Sequence, residues 1–305
     1  MGECNNTYPQ FLSKYGVERP SENVVESRRE NGHEKEACMI AIRVCVAGAT
    51  GWTGRAVTGA ILASSDFQLV GAIARRQVGV DIGEALGHGR ADVTIVASLE
   101  EALAVPTDVL IDYTTPDVVK EHILAALDKG VRVVVGTSGL TASDYTDIEQ
   151  RAQAHKLGVI AAGNFSITAA LAKHFALIAA QYLPSWEILD YASAAKIDAP
   201  SGTTRELAEE LAAISQNHVG VALEQTYGVK EARGATIEGT QVHSIRLPGY
   251  VIAFETIFGL PEERLSIRHD AGSGAGPYVS GTLLAARKVL ELRGLVRGLD
   301  RLLFP

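Results

Sequence analysis

The chain has 305 residues, of which 47% are hydrophobic, and it carries a formal net charge of −8 with a sequence pI near 5.5. This charge disfavours a protein that binds nucleic acid by neutralising phosphates, and the apolar runs are too short for a transmembrane helix. Three cysteines, all within the first 45 residues, form neither a disulfide framework nor a CxxC zinc site. We therefore expect a cytoplasmic protein that holds no metal and binds neither nucleic acid nor membrane.

Residues 1–38 form a polar segment that is rich in glutamate and carries both charge signs. The segment lacks the apolar core of a signal peptide, and its acidity disfavours a transit peptide. We interpret it as a loosely ordered N-terminal arm, either a partner-binding extension or a start assigned too early. The fold is expected to begin near Met39.

From Ile40 onward, strand-length apolar runs alternate with amphipathic stretches of helical length. Nearly continuous apolar runs are typical of strands that are buried on both faces of a parallel sheet. The predicted strands are 42–48, 67–74, 92–96, 108–114, 131–137 and 157–163. Ser98 and Glu101 have the spacing of a capping box, and Pro116 suits a first helical turn. The alternation predicts an α/β fold with a Rossmann-like, doubly wound parallel sheet.

The pattern changes after Asn164. It predicts a helix over 166–182, a strand over 186–193, and a helix over 203–215 with Thr203 and Glu206 spaced as a capping box. Three strand-like runs follow at 236–247, 250–259 and 264–270, and their short turns predict an antiparallel meander. A helix near 278–292 closes the chain. We expect a nucleotide-binding domain of 39–165 plus 278–305, and a smaller α+β substrate-binding and oligomerisation domain of 166–277.

The stretch VAGATGWTGR places Gly48, Gly51 and Gly54 between the first strand and the first helix. In such a turn the first glycine permits the tight bend, the second lets pyrophosphate approach the backbone, and the third lets helix and strand pack closely. The helix N-terminus favours the anion. A glycine-rich turn without a ligand is the alternative. The predicted cofactor contacts in this turn are Gly48, Thr50, Gly51, Trp52, Thr53, Gly54 and Arg55.

The end of the second strand indicates which nucleotide is bound. NAD-binding enzymes often carry a carboxylate there that binds the ribose 2′-hydroxyl. In this chain the strand ends in Arg75 and Arg76, and two guanidinium groups suit a 2′-phosphate. We expect NADPH as the cofactor, with NADH possible; two solvated arginines are the alternative.

Three later stretches, DYTTPD at 112–117, GTSG at 136–139 and GNFS at 163–166, each follow a predicted strand. Open α/β sheets bind ligands at the carboxyl ends of their strands. The stretches therefore predict a nicotinamide site, although each also fits ordinary turn chemistry. The further predicted cofactor contacts are Thr114, Gly136, Thr137, Ser138, Asn164 and Phe165.

The stretch KIDAPSGT, 196–203, combines a cation, a carboxylate and a helix start. The amides and hydroxyls of Ser201, Gly202 and Thr203 suit an anionic substrate group such as a carboxylate. Lys196 can pair with that anion or donate a proton to a nitrogen that gains electrons, and Asp198 can orient the loop. The alternatives are an ordinary helix cap and a solvated lysine.

These motifs together resemble the dihydrodipicolinate reductase family, from about Ile42 to the C-terminus. The resemblance implies NAD(P)H binding, an imine dicarboxylate substrate of the lysine and diaminopimelate pathway, and a mixed sheet that builds a homotetramer or dimer. It implies that Lys196 is the proton donor during hydride transfer. The residues that the resemblance places on the substrate are Gly136, Ser138, Lys196, Ser201, Gly202 and Thr203.

The chain also departs from the family pattern. Two adjacent family histidines are replaced by Ala192 and Ser193, and a family arginine is replaced by Gly274. Each lost charge-assisted hydrogen bond costs about 1.5–3 kcal/mol of recognition. Tyr191 is the nearest candidate replacement and is predicted as catalytic; His243 and His269 are further candidates for the cleft, or satisfied structural residues.

The sequence thus predicts an NAD(P)H-dependent reductase of a C=N or conjugated C=N/C=C bond in a small carboxylate-bearing substrate. A divergent imine reductase or amine dehydrogenase with another substrate is the first alternative. A non-catalytic relative that binds nucleotide as a scaffold is the second, because the histidine pair is absent.

Overall fold

Seven parallel strands form the larger sheet of the protein, in a computed structural model that describes residues 41–304. The predicted N-terminal arm lies outside these residues. The strand order is β12-β6-β5-β4-β1-β2-β3. The strands are β1 Ile42–Ala47, β2 Phe67–Ile73, β3 Ile95–Val96, β4 Val109–Asp112, β5 Arg132–Val135, β6 Gly158–Ala161 and β12 Gly294–Arg297. The Rossmann-like prediction is confirmed, and β12 is a seventh strand that the sequence analysis did not predict.

Helices cover both faces of this sheet. They are α1 Trp52–Leu62, α2 Ile82–Leu86, α3 Leu99–Ala102, α4 Pro116–Asp128, α5 Ala142–His155, α8 Gly276–Lys288 and α9 Asp300–Leu303. Val44 and Val46 of β1 pack in one core with α1 and α8, whereas Cys45 and Ala47 pack in a second core with α4 and α5. The alternation of side chains along a strand explains this double burial.

A five-stranded mixed sheet forms the second half, which confirms the predicted sheet type. Its strands are β7 Trp186–Ala192, β8 Ala235–Ile237, β9 Thr240–Arg246, β10 Ile252–Leu260 and β11 Glu263–Ala271, in the order β11-β10-β7-β9-β8. The predicted meander is confirmed only for β10 and β11, which pair antiparallel; its first pairing is wrong, because β7 lies between β9 and β10 and pairs parallel with β9. The run 236–247 is also two strands, since Glu238 and Gly239 turn the chain with φ of 46° and 79°.

Two helices, α6 Ile167–Ala179 and α7 Gly202–Ile214, pack on one face of the mixed sheet. Ser201 caps α7 by accepting a hydrogen bond from the amide of Thr204, so the predicted capping box of Thr203 and Glu206 is wrong. Thr203 instead lies inside the first turn. The loop that contains Lys196 therefore ends at Ser201, directly at the N-terminus of α7.

The end of the chain returns to the larger sheet. Helix α8 packs against α1, and β12 lies beside β6. None of the helices within residues 41–304 has the length and apolar character needed to cross a bilayer.

Candidate active site

The glycine turn after β1 is built by close backbone contacts. Gly48 has a φ of +79°, and a Cβ at this position would lie 2.2 Å from the carbonyl oxygen of Tyr113. A Cβ on Gly54 would lie 2.0 Å from the carbonyl oxygen of Gly48. Only glycine fits either position. Gly51 is exposed at the outer side of this turn.

The first turn of α1 is free to meet an anion. Gly51 occupies the N-cap position without a side-chain hydrogen bond, and the first turn contains no acidic residue. The backbone N–H groups of such a turn have no intrahelical acceptor, so they attract phosphate. The ring of Trp52 is exposed and meets the edge of Tyr278 at a centroid distance of 5.8 Å. The turn therefore has the shape and polarity of a pyrophosphate cradle.

Three arginines lie exposed near this cradle. Arg55 lies in the first turns of α1, and Arg75 and Arg76 follow the end of β2. Among the ion pairs of residues 41–304, none includes any of the three. Their guanidinium groups remain available to a phosphate group.

Asp112, at the end of β4, organises the loops that follow β4 and β5. Its buried carboxylate accepts from the hydroxyl of Thr114 at 2.6 Å, the amide of Thr114 at 2.9 Å and the hydroxyl of Thr137 at 2.8 Å. Nδ1 of His122 lies 2.8 Å from the second carboxylate oxygen. Asp112 therefore holds the two threonine hydroxyls and the Thr114 amide, and so fixes the loops at this rim of the sheet.

The ring of Tyr113 fills the space between β4, β5 and α8. A Cβ on Gly136 would lie 2.0 Å from this ring, and the Tyr113 hydroxyl lies 2.6 Å from Oγ1 of Thr282. Burial raises the pKa of Tyr113, so it stays neutral. Gly136 is thus needed for packing, whereas Ser138, two residues later, is exposed on the rim.

The GNFS segment joins the two halves of the chain. Oδ1 of Asn164 accepts from the amide of Ser166 at 2.8 Å. The ring of Phe165 is buried against Tyr113, with centroids 6.2 Å apart. The ring of Phe165 therefore belongs to the core and is not available for the predicted cofactor contact, whereas Asn164 is half-buried at the rim.

Lys196 lies in the loop between β7 and α7. Its Nζ is 2.7 Å from Oδ1 of Asp198, and the hydrogen bond from Lys196 holds the pKa of Asp198 below its usual value. Among the hydrogen bonds and ion pairs of residues 41–304, none joins Lys196 to Ser138 or Asn164. The ammonium group thus pairs with a carboxylate of its own loop, which a substrate carboxylate can replace.

A fully buried carboxylate, Asp190, holds the start of α7. Asp190 accepts from the amide of Ser201 at 2.9 Å, from its hydroxyl at 2.7 Å and from the hydroxyl of Thr204 at 3.0 Å. The Ser201 hydroxyl therefore binds Asp190 and is not available for the predicted substrate contact. The amides of Gly202 and Thr203 precede the first intrahelical bond, from Arg205 to Ser201, so they have no acceptor within the helix and suit an anion.

Arg246 completes this arrangement. Its Nη2 donates to Oδ2 of Asp190 and to the carbonyl oxygen of Asp198, each at 2.7 Å. Burial disfavours the Asp190 carboxylate, but the hydrogen bonds from Arg246 and Ser201 lower its pKa overall. The sequence analysis missed both Asp190 and Arg246. A carboxylate inside an apolar strand was the available signal, since such a group requires a buried partner.

Three residues proposed as replacements for the histidine pair have other partners. Tyr191 follows Asp190 along β7, so its side chain lies on the opposite face of the mixed sheet. There its hydroxyl donates to Oε2 of Glu255 at 3.2 Å, and its ring lies beneath the guanidinium group of Arg268. Nε2 of His243 lies 2.8 Å from Glu187. His269 contacts the hydroxyl of Thr168 at 3.1 Å, and burial lowers its pKa. The structure brings none of the three to Lys196 through a hydrogen bond or ion pair.

A small cavity of about 20 Å³ lies where the two halves meet. Gly163 and Asn164 line it from the larger sheet, and Thr203 lines it from α7. The structure therefore brings the end of the nucleotide-binding rim to the helix start that follows Lys196.

Two family signatures match the chain, one in each half. The family signature "Dihydrodipicolinate reductase, N-terminus" matches residues 42–165, and "Dihydrodipicolinate reductase, C-terminus" matches residues 164–303. Together the two signatures include both the glycine turn and the Lys196 loop.

Individual relatives agree with these signatures. The chain is 42% identical over 269 residues to a 4-hydroxy-tetrahydrodipicolinate reductase from Moorella thermoacetica, which covers 87% of this chain and 99% of the relative. It is 38% identical over 275 residues to the enzyme of the same name from Thermosynechococcus vestitus, with 88% and 99% covered.

Solved structures show the same similarity. A dipicolinate-bound dihydrodipicolinate reductase from Paenisporosarcina sp. TG-14 matches with a TM-score of 0.76 and 31% identity, over 86% of this chain and 99% of that one. An amine dehydrogenase from Mycobacterium smegmatis matches with a TM-score of 0.62 and 16% identity, over 87% of this chain and 96% of that one. The second match shows a shared fold alone.

Proposed function

The chain belongs to the dihydrodipicolinate reductase family of NAD(P)H-dependent oxidoreductases, and from this membership we propose that it reduces 4-hydroxy-tetrahydrodipicolinate with NADPH. The observation that carries the proposal is the pairing of an uncapped α1 N-terminus with a second helix start, α7, that follows Lys196. The first suits a dinucleotide and the second suits a substrate carboxylate, and a single cavity connects α7 to the nucleotide-binding rim.

The glycine turn fits a dinucleotide on steric grounds. Gly48 and Gly54 leave no room for a side chain, and Gly51 leaves the backbone open to a pyrophosphate. When bound, the reduced nicotinamide supplies the hydride that saturates the C=N or conjugated bond. The protein contributes the binding and orientation of both partners.

The substrate half contributes charge and a proton. In our proposal the amides of Gly202 and Thr203 bind one substrate carboxylate, and Lys196 exchanges Asp198 for the substrate. From that position the ammonium group donates a proton to the nitrogen that gains electrons. Asp190 and Arg246 form a clamp, in which Asp190 binds the start of α7 and Arg246 binds the loop at Asp198. The clamp keeps both segments in place while Lys196 exchanges Asp198 for the substrate.

We propose NADPH rather than NADH as the preferred nucleotide. The support is the exposed pair Arg75 and Arg76 at the end of β2, where the sequence has arginines in place of the carboxylate that binds a ribose 2′-hydroxyl in NAD-binding enzymes. We also propose a cytoplasmic location. Cys45 is a buried free thiol whose pKa burial raises to about 12, so it is inert towards thiol exchange.

We further propose that the protein assembles as a homotetramer or dimer through the face of the mixed sheet opposite α6 and α7. This face carries Leu189, Tyr191 and Ile257 among charged side chains such as Glu255 and Arg268. A half-apolar sheet face of this kind suits an isologous interface. Light scattering coupled to size-exclusion chromatography tests the proposal, and a monomer at micromolar concentration would contradict it.

A divergent imine reductase remains the second candidate, on the observation that Ala192, Ser193 and Gly274 replace three cationic residues of the family pattern. Such a site suits a substrate with fewer carboxylates. The deciding experiment measures NADPH oxidation with 4-hydroxy-tetrahydrodipicolinate and, in parallel, with monocarboxylate cyclic imines. Turnover of the dicarboxylate supports the main proposal, whereas turnover of monocarboxylates alone supports the second.

A further inference from the structure

A buried ammonium group joins the two halves of the chain behind the proposed site. Lys173 of α6 is only 7% exposed. Its Nζ lies 2.8 Å from Glu210 Oε1, 2.9 Å from Glu206 Oε1 and 3.2 Å from Asp300 Oδ1. Glu206 and Glu210 belong to α7, whereas Asp300 begins α9, beyond β12 of the larger sheet. One lysine therefore holds α7 against the nucleotide-binding half.

The charges in this cluster do not cancel, because three carboxylates surround one ammonium group. Burial lowers the pKa of Lys173, but the three carboxylates outweigh burial and raise it overall. Burial raises the pKa of Glu210, against the attraction of Lys173. Oε2 of Glu210 is buried and has no hydrogen-bond partner within residues 41–304. Burial therefore disfavours the ionised form of Glu210, although Lys173 is in contact with it.

Stability alone does not explain such a cluster, since well-packed apolar residues stabilise a core at least as well as buried ion pairs. Its location suggests a different role. Lys173, Glu206 and Asp300 line the same small cavity as Asn164 and Thr203. Glu206 also lies one helical turn after the amides of Gly202 and Thr203.

Two glycines of the nucleotide-binding half lie close to the cluster, and Gly298 keeps space for it. A Cβ on Gly298 would lie 2.6 Å from Oδ1 of Asp300 and 3.7 Å from Nζ of Lys173. A Cβ on Gly163 would lie 3.7 Å from Oε2 of Glu206. The backbone of the larger sheet therefore approaches the cluster directly, at the strand ends that form the nucleotide-binding rim.

We propose that Lys173 is a positioning residue that fixes the N-terminus of α7 relative to the nucleotide-binding half through Asp300. The inference rests on the proposed function, in which the amides of Gly202 and Thr203 bind a substrate carboxylate. Without the Lys173–Asp300 contact, α7 stays packed on the mixed sheet but loses its alignment with the bound nucleotide. Substrate affinity falls, and nucleotide affinity does not.

The test compares Lys173→Met, Asp300→Asn, the double variant and the conservative Lys173→Arg. Glu209→Gln is the matched control, because Glu209 lies exposed on the same helix. Steady-state kinetics give KM and kcat, the fluorescence of exposed Trp52 reports NADPH binding, and thermal unfolding reports folding. Binding of dipicolinate by calorimetry repeats the comparison without turnover.

We expect KM and the dipicolinate Kd to rise about tenfold in Lys173→Met and in Asp300→Asn, with the NADPH Kd within about twofold of wild type. KM and the dipicolinate Kd of the double variant should be no higher than those of Lys173→Met, because both substitutions remove the same contact. Lys173→Arg should recover most of the lost substrate affinity. Should Lys173→Met fail to fold, Asp300→Asn decides alone.

Unchanged KM and dipicolinate affinity in the folded variants would overturn the inference, as would an equal loss of NADPH affinity or additive effects in the double variant. If the wild-type protein binds dipicolinate but does not turn over the substrate, only the proposed reaction is overturned. The dipicolinate Kd values of the variants then decide whether Lys173 positions α7. If the wild-type protein neither binds dipicolinate nor turns over the substrate, both the proposed reaction and the role of Lys173 are overturned.

Discussion

The carboxylate of Asp190 accepts two hydrogen bonds from Ser201, one from the backbone N–H at 2.9 Å and one from the hydroxyl at 2.7 Å. Because Asp190 is fully buried, this contact fixes the start of α7 on β7. We expect Asp190→Asn to weaken it and to leave Arg246 without its carboxylate. The free energy of unfolding should fall by about 3 kcal/mol, and kcat/KM should fall at least tenfold, or about 1.4 kcal/mol.

Urea unfolding and steady-state kinetics check this prediction. Asp92→Asn is the control, because Asp92 pairs with Arg90 at an exposed position of the nucleotide-binding half and should change neither quantity. An Asp190→Asn variant with the stability and kcat/KM of wild type would show that the clamp has no role.

The glycine turn allows a paired test of fold and ligand binding. Gly54→Ala places a Cβ 2.0 Å from the carbonyl oxygen of Gly48, whereas the nearest atom to a Cβ on Gly51 is 3.1 Å away. We expect Gly54→Ala to cost about 2 kcal/mol of stability and to abolish NADPH binding, because backbone must shift. Gly51→Ala should fold normally and bind NADPH at least tenfold more weakly, since the methyl group meets the pyrophosphate.

Thermal unfolding and Trp52 fluorescence separate these two effects. Equal NADPH affinity in Gly51→Ala and wild type would contradict the assignment of this turn to a dinucleotide.

Nucleotide preference depends on the end of β2. The double substitution Arg75→Ala and Arg76→Ala should raise the NADPH Kd by about tenfold to a hundredfold and leave the NADH Kd unchanged, because only NADPH carries the 2′-phosphate. Arg205→Ala, at an exposed position of α7, controls for the loss of charge. Parallel loss of both affinities would point to a general effect on the fold.

Asp66 gives the larger sheet a pH-dependent contact with α8. The hydrogen bond from Arg287, aided by Ser64, lowers the pKa of Asp66 to about 2. A depressed carboxyl pKa stabilises the fold above the unfolded value, near 3.9, and this stabilisation is lost as the pH falls towards about 2. Because both side chains are partly exposed, we expect less than about 1 kcal/mol.

Urea unfolding of wild type and Asp66→Asn checks this expectation. The two proteins should differ at neutral pH and converge as the pH falls from about 4 to about 2. A difference that stays constant over that range would contradict the assignment.

Local patterns were sufficient to predict the parallel sheet but not the arrangement of the second one. The buried strands of the larger sheet were found because each is a continuous apolar run. β12 was missed because its four residues end in Arg297 and show no period. The predicted pairing of β9 with β10 was wrong because strand order depends on contacts distant in sequence, and the insertion of β7 between these two strands leaves no local trace.

The same distinction applies to the site. Glycine spacing and the helix start after Lys196 are local features, so the sequence reveals them. The partners of the buried charges are distant in sequence: Arg246 and Asp190 lie 56 positions apart, and Lys173 and Glu210 lie 37 apart. Only the fold brings such groups together, so neither pair was predicted.

Lys196 is the proposed proton donor, and its replacement tests that role. Lys196→Met should lower kcat about a hundredfold or more and leave the NADPH Kd unchanged, because general acid catalysis contributes factors of this size. Lys129→Met, at an exposed helix end, is the control. A Lys196→Met variant with a wild-type kcat would assign proton donation to another group.

The most direct measurement is the rate of NADPH oxidation by the wild-type protein with 4-hydroxy-tetrahydrodipicolinate. The account predicts turnover that saturates with substrate, is faster with NADPH than with NADH and is slower by about a hundredfold or more in Lys196→Met. Tight NADPH binding without any turnover of this substrate would contradict the account.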